Sequence, residues 1–576
     1  MKSPSVLILG AGINGAALAR ELVLGGISVA LVDSGDLAGG ATSYSSRLIH
    51  GGLRYLEYGE LDLVRESLAE RTRWLRLAPH LVSPLKLYIP VASRLGGLRA
   101  SVGRFLGWKA KGAARSAPPR GLWLVRSGLW LYDRYARDPA LPRHATYSVL
   151  DPRAIRVARD RYRWLCSYYD AQVRFPERFV VDLLDDARKA AGETGASLHV
   201  YTYHRASLRG RSVEIHSADD ETPVSTFEPA AIVNATGAWV DWTLRQLNVA
   251  GPMLMGGTKG SHLVTSHARL RAALGDHGLY AEAGDGRPVF ILPFGDLTLI
   301  GTTDVPFVGD PAEALASRAE LDYLIQAVNS IVPDVCLSAD EVDMHYCGVR
   351  PLPASGPATP AAITRRHWLE EHAGCDVPLY SVIGGKLTTC RSLAERAAGT
   401  LRSRLGLTPL VVSQDRPLPG GADYPADHDA LEAEWRRLAA LHGLSDGQAR
   451  AVWTLRGTQT DSILAACGGG KTGNLTGTDL PLSFVRWVIH HEWVRRLSDL
   501  VERRLMLLYD RRLSEPALRE LAGLLVEAGL LKAGEIEAEV GRTIERLKTH
   551  FGKRLAASDS GGQRGDTDIH GGWGGA

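Results

Sequence analysis

The chain has few cysteines, and none of them stand close together. The six cysteines occupy positions 166, 336, 347, 375, 390 and 467 of 576 residues. They form neither a CxxC pair nor the spacing of a zinc site, so no metal centre is predicted. Widely separated cysteines are typical of a reduced compartment, and we therefore expect a cytoplasmic protein.

Strong charge of one sign and long apolar runs are also missing. The formal net charge of +3 is too small to indicate a nucleic-acid partner. No stretch reaches ~18 uncharged apolar residues, so no segment is expected to span a membrane. The N-terminal apolar run is interrupted at once by glycines and carries no cleavage pattern, so no signal peptide is predicted. The length predicts about two to four domains.

Glycine, in contrast, is abundant, and its clearest pattern lies near the N-terminus in VLILGAGINGAALARELVLGGISVALVD. An apolar strand precedes Gly10, Gly12 and Gly15, a helical pattern follows them, and a second strand ends at Asp33. The three glycines permit a tight turn, the approach of a pyrophosphate, and close packing of the helix on the strand. Asp33 can accept a hydrogen bond from a ribose hydroxyl. These parts at this spacing predict a dinucleotide-binding βαβ unit.

The segment after Asp33 favours FAD over NAD. An NAD domain would usually continue with another regular βα unit, whereas this chain continues with SGDLAGGATSYSSRLIHGGLRYLE and LVRESLAER. Together with GAGINGA, these stretches resemble the FAD-dependent glycerol-3-phosphate dehydrogenases, which belong to the DAO-type flavin oxidoreductases. Arg47 stands where that family commonly has lysine, and Asp33 where it commonly has glutamate. Both substitutions keep the charge, so FAD binding is still expected.

Further blocks resemble the same family in the same order. They are AAIVNATGAWVD (230–241), TKGSHLV (258–264), VFILPFGDLTLIGTTD (289–304), CGVRPL (347–352), ITRRH (363–367) and VIGGKLTTCRSLAERAA (382–398). The block at 289–304 predicts a hairpin around a Gly-Asp turn. The last block predicts a strand, a Gly-Gly turn and an amphipathic helix. In the family, the N-terminus of that helix faces the flavin pyrimidine, where its dipole favours negative charge.

The predicted fold class is α/β, with a discontinuous Rossmann-like FAD-binding domain. The sections of that domain are residues 1–85, 180–245 and 340–405. A mixed-sheet substrate-binding domain is predicted from residues 86–179 and 246–339. Helical patterns over 427–552 match the family's C-terminal all-helical domain, including Glu492, Asp499, Arg503 and Arg504. The Gly/Ser/Asp-rich tail, 556–576, is expected to be disordered.

The resemblance implies an FAD site assembled from the motif blocks. The candidate cofactor contacts are Gly10, Gly12, Ile13, Asn14, Gly15, Asp33, Thr42, Ser43, Ser45, Ser46, Arg47, His50, Gly51, Gly52, Ala235, Thr236, Gly237, Gly385, Lys386, Leu387 and Thr388. Within this set, Ser45, Ser46 and Arg47 are expected to contact the FAD phosphates or ribose. At Gly51 and Gly52, which follow His50 past the flavin ring, a side chain is expected to collide with that ring.

The resemblance also implies the reaction, which is oxidation of sn-glycerol 3-phosphate to dihydroxyacetone phosphate by hydride transfer to FAD. A dianionic phosphate needs several converging cations, and Arg54, Arg365 and Lys386 are the candidates for this end of the substrate. Arg350 would favour the negative charge that develops on the reacting oxygen. Tyr55 and either Thr302 or Thr303 are candidate hydroxyl partners.

Two histidines compete for the role of the base that takes the hydroxyl proton. His262, in the 258–264 block, is the first candidate. His50 is the second, although it fits better as a residue that positions the flavin ring. An oxidase that uses O₂ at the same site and a DAO-type enzyme for another hydroxy or amino substrate remain alternatives. A non-catalytic FAD-binding module is disfavoured, because the substrate blocks are intact.

The electron acceptor implied by the resemblance is a membrane quinone, which suggests a peripheral position on the inner face of the membrane. Residues 91–137 hold ten Lys or Arg and one acid beside several Trp and Leu residues. This composition suits a surface that meets anionic lipid. It suits an ordinary basic loop with core aromatics equally well. The sequence leaves the oligomeric state open, with a homodimer as one candidate.

Overall fold

A computed structural model of the chain describes residues 5–96, 121–218, 220, 222–354, 366–408, 410, 413–468 and 473–557. Its strands are β1 (Ser5–Leu9), β2 (Ser28–Asp33), β3 (Leu48–Ile49), β4 (Val82–Val91), β5 (Ala145–Ser148), β6 (Trp164–Val173), β7 (Leu198–Thr202), β8 (His204–Arg209), β9 (Ser212–Ser217), β10 (Pro223–Phe227), β11 (Ala231–Asn234), β12 (Met255–Thr265), β13 (Gly278–Glu282), β14 (Pro288–Phe294), β15 (Leu297–Gly301), β16 (Val305–Pro306), β17 (Met344–Pro353), β18 (Trp368–His372) and β19 (Leu379–Ile383).

The helices of the described residues lie in connections between these strands and form most of the C-terminal part. They are α1 (Ile13–Leu24), α2 (Leu61–Leu77), α3 (Leu122–Ala136), α4 (Pro176–Thr194), α5 (Val240–Gln246), α6 (Ala268–Leu274), α7 (Arg318–Ile331), α8 (Cys390–Arg404), α9 (His428–His442), α10 (Asp446–Arg456), α11 (Thr460–Ala466), α12 (Leu482–His491), α13 (Leu497–Asp499), α14 (Glu515–Glu527) and α15 (Ile536–Phe551). A π-helical turn, Leu500–Arg504, continues α13.

The N-terminal motif lies in a six-stranded sheet with the order β18-β19-β11-β1-β2-β7. All neighbours are parallel except β18, which pairs antiparallel with β19. The apolar strand β1 is buried because α1, α4 and α8 share one core with it. On the other side, residues of the three-stranded sheet β8–β10 share a second core with β1 and β2. Burial on both faces explains why β1 lacks alternating polar residues.

A second sheet of the described residues has the order β16-β12-β15-β14-β13-β4-β6-β3, with β17 beside β12 and β5 beside β6. Its β14–β15 hairpin lies where the 289–304 block predicts one. In the β12–β17 pair, Thr258 lies opposite Arg350, and His262 opposite Tyr346. The strand β17 belongs to this sheet although residues 340–405 are predicted to join the FAD domain. The division into domains otherwise stays a prediction.

The C-terminal part consists of helices from His428 to Phe551, within the range that the sequence predicts to be helical. It is joined to α4 by buried ion pairs: Arg178 binds Glu492, and Arg456 binds Asp182 and Asp185. The predicted fold class, a mixed α/β protein with a C-terminal helical region, is confirmed. Among the described helices, none has both the length and the apolar character that a membrane crossing requires.

Candidate active site

The glycine motif forms a cradle at the carboxyl end of β1. Gly10 has a φ of +99°, and a Cβ there would lie 2.7 Å from the Ala235 carbonyl oxygen. At Gly15, a Cβ would lie 1.9 Å from the Gly10 carbonyl oxygen, so α1 can approach β1 only without a side chain. At Gly12, the nearest atom would be Thr42 Oγ1 at 3.4 Å, an ordinary contact. The protein therefore has no steric need for glycine at position 12, which leaves a ligand as the reason for it.

The cradle opens into a cavity of about 730 Å³, which most of the predicted site residues line. These residues are Gly10, Gly12, Ile13, Asn14, Asp33, Thr42, Ser45, Ser46, Arg47, His50, Tyr55, Ala235, Thr236, Gly237, His262, Arg350, Gly385, Lys386, Leu387 and Thr388. The remaining described candidates, which do not line it, are Gly15, Ser43, Gly51, Gly52, Arg54, Thr302 and Thr303. Arg365 lies outside the described residues.

Asp33 and Asn14, two polar residues at the cradle, differ in whether their side-chain oxygens already accept hydrogen bonds. Both Asp33 oxygens accept backbone hydrogen bonds, from the Ala11 N–H at 2.7 Å and the Gly35 N–H at 2.8 Å. Burial nevertheless raises the pKa of Asp33 above its ordinary value. The buried Asn14 Oδ1 has no hydrogen-bond partner within the described residues. Because buried polar atoms are normally satisfied, this oxygen at the cavity wall is a free acceptor for a bound molecule.

The two glycines after His50 are required by the protein itself. A Cβ at Gly51 would lie 2.4 Å from Leu68 and 2.5 Å from the Tyr132 hydroxyl. Gly52 has a φ of +76°, and a Cβ there would lie 2.2 Å from the Tyr55 ring. Neighbouring side chains alone therefore account for both glycines, and the expected collision with a flavin ring stays a prediction.

Arg47 also departs from its prediction. Its side chain is fully buried and binds Glu177 through both terminal nitrogens, at 3.1 and 2.7 Å. The guanidinium lies 4.7 Å from the centre of the Tyr509 ring and 5.2 Å from that of Phe294. With its charge balanced in this way, the guanidinium serves a structural ion pair rather than the predicted contact with FAD phosphates.

His262 lies on β12 with its ring stacked on Tyr346, at a centroid distance of 4.8 Å. Its Nε2 is 2.8 Å from Ser46 Oγ, and its buried Nδ1 has no hydrogen-bond partner among the described residues. Burial, helped by the positive charges of Arg350 and Arg47, lowers the pKa of His262 to about 3. The imidazole is therefore neutral near pH 7, and in the absence of a bound anion it is a weak base.

Arg350, on the neighbouring strand β17, is held in a fixed orientation at the cavity. One terminal nitrogen donates to Asp304 at 3.0 Å, and the other donates to Thr302 Oγ1 at 2.9 Å and to the Thr303 carbonyl at 2.7 Å. The Thr303 hydroxyl instead donates to Glu320 at 2.7 Å and is buried away from the cavity. Of the two alternative threonines, Thr302 therefore contacts Arg350, whereas the hydroxyl of Thr303 binds Glu320 and is not available as the predicted substrate partner.

The other described cations among the predictions are Lys386 and Arg54. Lys386 Nζ is 4.1 Å from the centre of the Tyr55 ring and 3.5 Å from Ser67 Oγ. The Arg54 Nε is buried and has no hydrogen-bond partner in the described part of the chain. His50 is fixed through its backbone, because its N–H donates to Thr388 Oγ1 at 3.1 Å. The blocks around residues 50 and 386 are thus brought together as expected.

The comparisons with known proteins identify this architecture. A model of the FAD dependent oxidoreductase family matches residues 5–391. The chain belongs to this family. A glycerol-3-phosphate dehydrogenase from Synechocystis is 33% identical and covers 87% of this chain and 88% of its own. The aerobic glycerol-3-phosphate dehydrogenase of Escherichia coli is 32% identical, with coverage of 88% and 94%. The resemblance seen in the motif blocks is confirmed.

Two further proteins similar to this FAD dependent oxidoreductase are a sequence relative with a different named substrate and a solved structure. A D-erythritol 1-phosphate dehydrogenase from Brucella abortus is 32% identical and covers 87% of this chain and 93% of its own. Among solved structures, the glycerol-3-phosphate dehydrogenase from Bacillus halodurans complexed with FAD superposes with a TM-score of 0.67 at 21% identity, covering 95% of both chains. At that identity the superposition supports the fold alone.

FAD is the cofactor of this family, and the cavity fits it. The cradle leaves Gly12 open, Asn14 offers an unused buried acceptor, and the N-terminus of α1 favours a pyrophosphate. The 382–398 block also has the predicted form, with β19, a Gly-Gly turn and α8. At Gly385 a Cβ would lie 2.4 Å from Asn14 Nδ2, so the turn packs against the cradle.

Asp170, which holds the backbone at Gly51, and Trp239 were not identified from the sequence. Asp170 accepts from the Gly51 N–H at 3.1 Å and from the Tyr132 hydroxyl, and burial raises its pKa. Trp239, inside a predicted block, lines the cavity and donates to Asp310 at 2.8 Å. The strand pattern around Asp170 gave a signal, because a carboxylate in an apolar strand needs a buried partner. The partner's identity depends on the tertiary fold.

Proposed function

We propose that this FAD-dependent enzyme oxidises sn-glycerol 3-phosphate to dihydroxyacetone phosphate. The observation that carries the proposal is that His262, Arg350 and Lys386 line the same cavity as the dinucleotide cradle. A neutral imidazole and two cations beside the cofactor suit an anionic hydroxy compound. Bound FAD supplies the two-electron acceptor. The names of relatives at 32 and 33% identity support this substrate.

Charge complementarity supports a phosphate on the substrate. Lys386 lines the cavity and lies over the Tyr55 ring. Arg54 precedes Tyr55 in the chain, and its buried Nε has no hydrogen-bond partner within the described residues. A dianionic phosphate offers several acceptor oxygens, so it would satisfy that nitrogen and be complementary in charge to both cations. We therefore assign the phosphate end of the substrate to these two cations. Arg365, whose side chain lies outside the described residues, stays a predicted third member.

The proton of the substrate hydroxyl is assigned to His262. The imidazole is neutral before the substrate binds, and a bound dianion would raise its pKa, because a nearby negative charge favours the protonated form. Ser46, at 2.8 Å from Nε2, keeps the ring in place. Arg350 then stabilises the negative charge on the reacting oxygen. His50, fixed at its backbone by Thr388, remains the alternative base.

Anaerobic mixing with sn-glycerol 3-phosphate tests the proposal. We expect the flavin absorbance near its visible maximum to bleach in a single turnover, and glycerol without phosphate to have no effect. A His262→Gln variant should keep its FAD but bleach about a hundredfold more slowly, because general base catalysis contributes about that much. Full FAD content without bleaching by the phosphate ester would contradict the proposal.

D-erythritol 1-phosphate is a second candidate substrate, favoured by the name of the Brucella abortus relative at 32% identity. The same anaerobic assay separates the two, because the substrate with the higher kcat/KM is the better fit to the cavity. An erythritol phosphate that bleaches the flavin much faster than glycerol 3-phosphate would replace the substrate in our proposal and leave the roles of the residues unchanged.

The electron acceptor is proposed to be a membrane quinone. Reoxidation of the bleached enzyme by a soluble quinone analogue, compared with air-saturated buffer, tests this assignment. Faster reoxidation by the quinone supports a dehydrogenase. Equal or faster reoxidation by O₂ supports the oxidase alternative.

A peripheral contact with anionic lipid is proposed for one face of α3. Trp123 and Trp130 are 55% and 61% exposed, and Arg126 is exposed between them with its guanidinium 5.3 Å from the Trp123 ring centre. Exposed Trp beside Arg at helical spacing suits a lipid interface. Residues 97–120 of the predicted basic stretch lie outside the described residues.

Co-sedimentation with vesicles tests the lipid contact. Wild-type protein should sediment with vesicles that contain phosphatidylserine and less with neutral vesicles. The double variant Trp123→Ser, Trp130→Ser should lose most of this binding, whereas the control Trp368→Ser, at another exposed tryptophan, should retain it. Equal binding by both variants would contradict the assignment to α3.

A further inference from the structure

The loop between β2 and β3, residues 34–47, connects the cofactor cavity to the C-terminal helices. Eleven of its residues line the cavity: Ser34, Gly35, Asp36, Gly39, Gly40, Ala41, Thr42, Tyr44, Ser45, Ser46 and Arg47. The loop has no strand or helix in the structure, so no ladder of backbone hydrogen bonds fixes its shape. A segment that contains three glycines loses much conformational freedom when it is ordered, so it needs anchors elsewhere.

The strongest anchor is Asp36. Its Oδ2 accepts from Arg503 Nε at 2.6 Å and from Arg504 at 2.9 Å, and its Oδ1 accepts from Arg504 at 2.6 Å. All three side chains are almost completely buried. Burial alone would raise the pKa of Asp36, but Arg504 and Arg503 outweigh it and hold the pKa below its ordinary value. Asp36 is therefore a charged and fully neutralised contact between the loop and the C-terminal part.

Two more loop residues contact the same part of the chain. Arg47 donates to the Tyr509 hydroxyl, and Tyr44 accepts from Arg546 at 3.3 Å. Glu502 links the Asp36 and Tyr44 contacts, because it binds both Arg503 at 2.7 Å and Arg546. The start, the middle and the end of the loop are thus each held by the C-terminal helices.

We propose that the C-terminal segment 497–551 is a clamp for the 34–47 loop, in which Arg503 and Arg504 are positioning residues for FAD binding. Neither arginine is among the residues that line the cavity, so they act through Asp36. This gives the C-terminal helical part a role in cofactor retention. This role is independent of the substrate, because the contacts of Asp36, Tyr44 and Arg47 with the C-terminal segment do not involve the substrate.

The test measures release of FAD from the holoenzyme, followed by the rise of free-flavin fluorescence after dilution. Arg504→Met should release FAD about tenfold faster or more, since hydrogen bonds to a buried charge are lost. Arg504→Lys keeps the charge but lacks the planar guanidinium that binds a carboxylate through two nitrogens. Its rate of FAD release should therefore lie between those of Arg504→Met and the wild type. Each variant is measured at the same interval below its own unfolding midpoint, so that lower global stability alone does not accelerate release.

Arg456→Met is the matched control. Arg456 is equally buried and joins the C-terminal part to α4 through Asp182 and Asp185, but it does not touch the loop. It should release FAD at close to the wild-type rate under the matched conditions. Equal acceleration of FAD release by Arg456→Met, or no acceleration by Arg504→Met, would overturn the proposal.

If Arg504→Met does not fold, FAD release is measured in Tyr509→Phe instead. This variant removes only the hydroxyl that Arg47 contacts, and an unchanged release rate would overturn the proposal.

Discussion

A single methyl group on β12, at Gly260, should displace Arg350. Gly260 lies beneath the guanidinium, and a Cβ there would lie 2.2 Å from one terminal nitrogen of Arg350 and 2.5 Å from Thr302 Oγ1. In Gly260→Ala, the end of the arginine side chain must move by about 1 Å to restore an ordinary contact of about 3.4 Å. The guanidinium is the flexible partner, so it should yield before the strand does.

The expected magnitude follows from the bonds that hold Arg350. Its bonds to Thr302, Thr303 and Asp304 span 2.7 to 3.0 Å, and a shift of about 1 Å would break or redirect them. A misplacement of about 1 Å costs on the order of a hundredfold in rate, as does loss of one donor to a developing oxyanion. We therefore expect kcat/KM to fall about a hundredfold, or about 2.7 kcal/mol of transition-state stabilisation.

The assay is anaerobic flavin reduction over a range of substrate concentrations, with FAD content measured from the visible spectrum. Gly256→Ala is the control on the same strand, because its Cβ would have no contact closer than 3.5 Å. It should keep wild-type kinetics, and both variants should keep their FAD. A Gly260→Ala enzyme within about threefold of wild type would refute the placement of Arg350 at the reacting oxygen.

Three other predictions follow from the geometry of the site. Gly15→Ala should abolish FAD retention, because its Cβ would lie 1.9 Å from the Gly10 carbonyl oxygen; stoichiometric FAD after purification would contradict this. Arg54→Met should raise KM about tenfold or more with little loss of stability, because the buried Nε has no described partner; an unchanged KM would remove Arg54 from the phosphate site. The pKa of His262 is lowered to about 3 in the folded protein, so as pH falls below about 6.5 the unfolded chain binds a proton at this residue before the folded protein does. The contribution of the neutral ring to the free energy of unfolding is therefore fully present above about pH 6.5 and declines towards about pH 3. From pH 7 to pH 5, wild type should therefore lose about 2 kcal/mol more than His262→Gln in denaturant unfolding, and equal losses would contradict a buried neutral ring.

Local patterns predicted the cradle well because each part of it depends on neighbours in the sequence. The strand predicted before Gly10 is found at Ser5–Leu9, and the helix predicted after the glycine motif begins within it, at Ile13, and runs to Leu24. The hairpin at 289–304 followed from alternation around its turn. In each case, backbone geometry and side-chain period carry the information within about twenty residues.

The roles of individual charged and hydroxyl side chains were harder to predict, because their partners are distant in the sequence. Arg47 was assigned to FAD, but Glu177 neutralises it from another element. Thr303 was assigned to substrate, but Glu320 accepts its hydroxyl hydrogen. A motif predicts the type of residue at a position, whereas the direction of its side chain depends on which buried charge the fold places beside it. A resemblance between motifs does not predict that neighbouring charge.

The order of strands in the six-stranded sheet has a consequence for biosynthesis. While the chain is being made, β1 and β2 leave the ribosome early, yet the neighbour of β1 on its other side, Ala231–Asn234, follows more than two hundred residues later. Until then β1 has one open edge, and parallel pairing across such a separation is slow. The cradle also lacks its Ala235 wall, and the anchor at Arg504 is translated later still. We therefore expect FAD to be taken up only by nearly complete chains, so that nascent chains depend on protection from aggregation for most of translation.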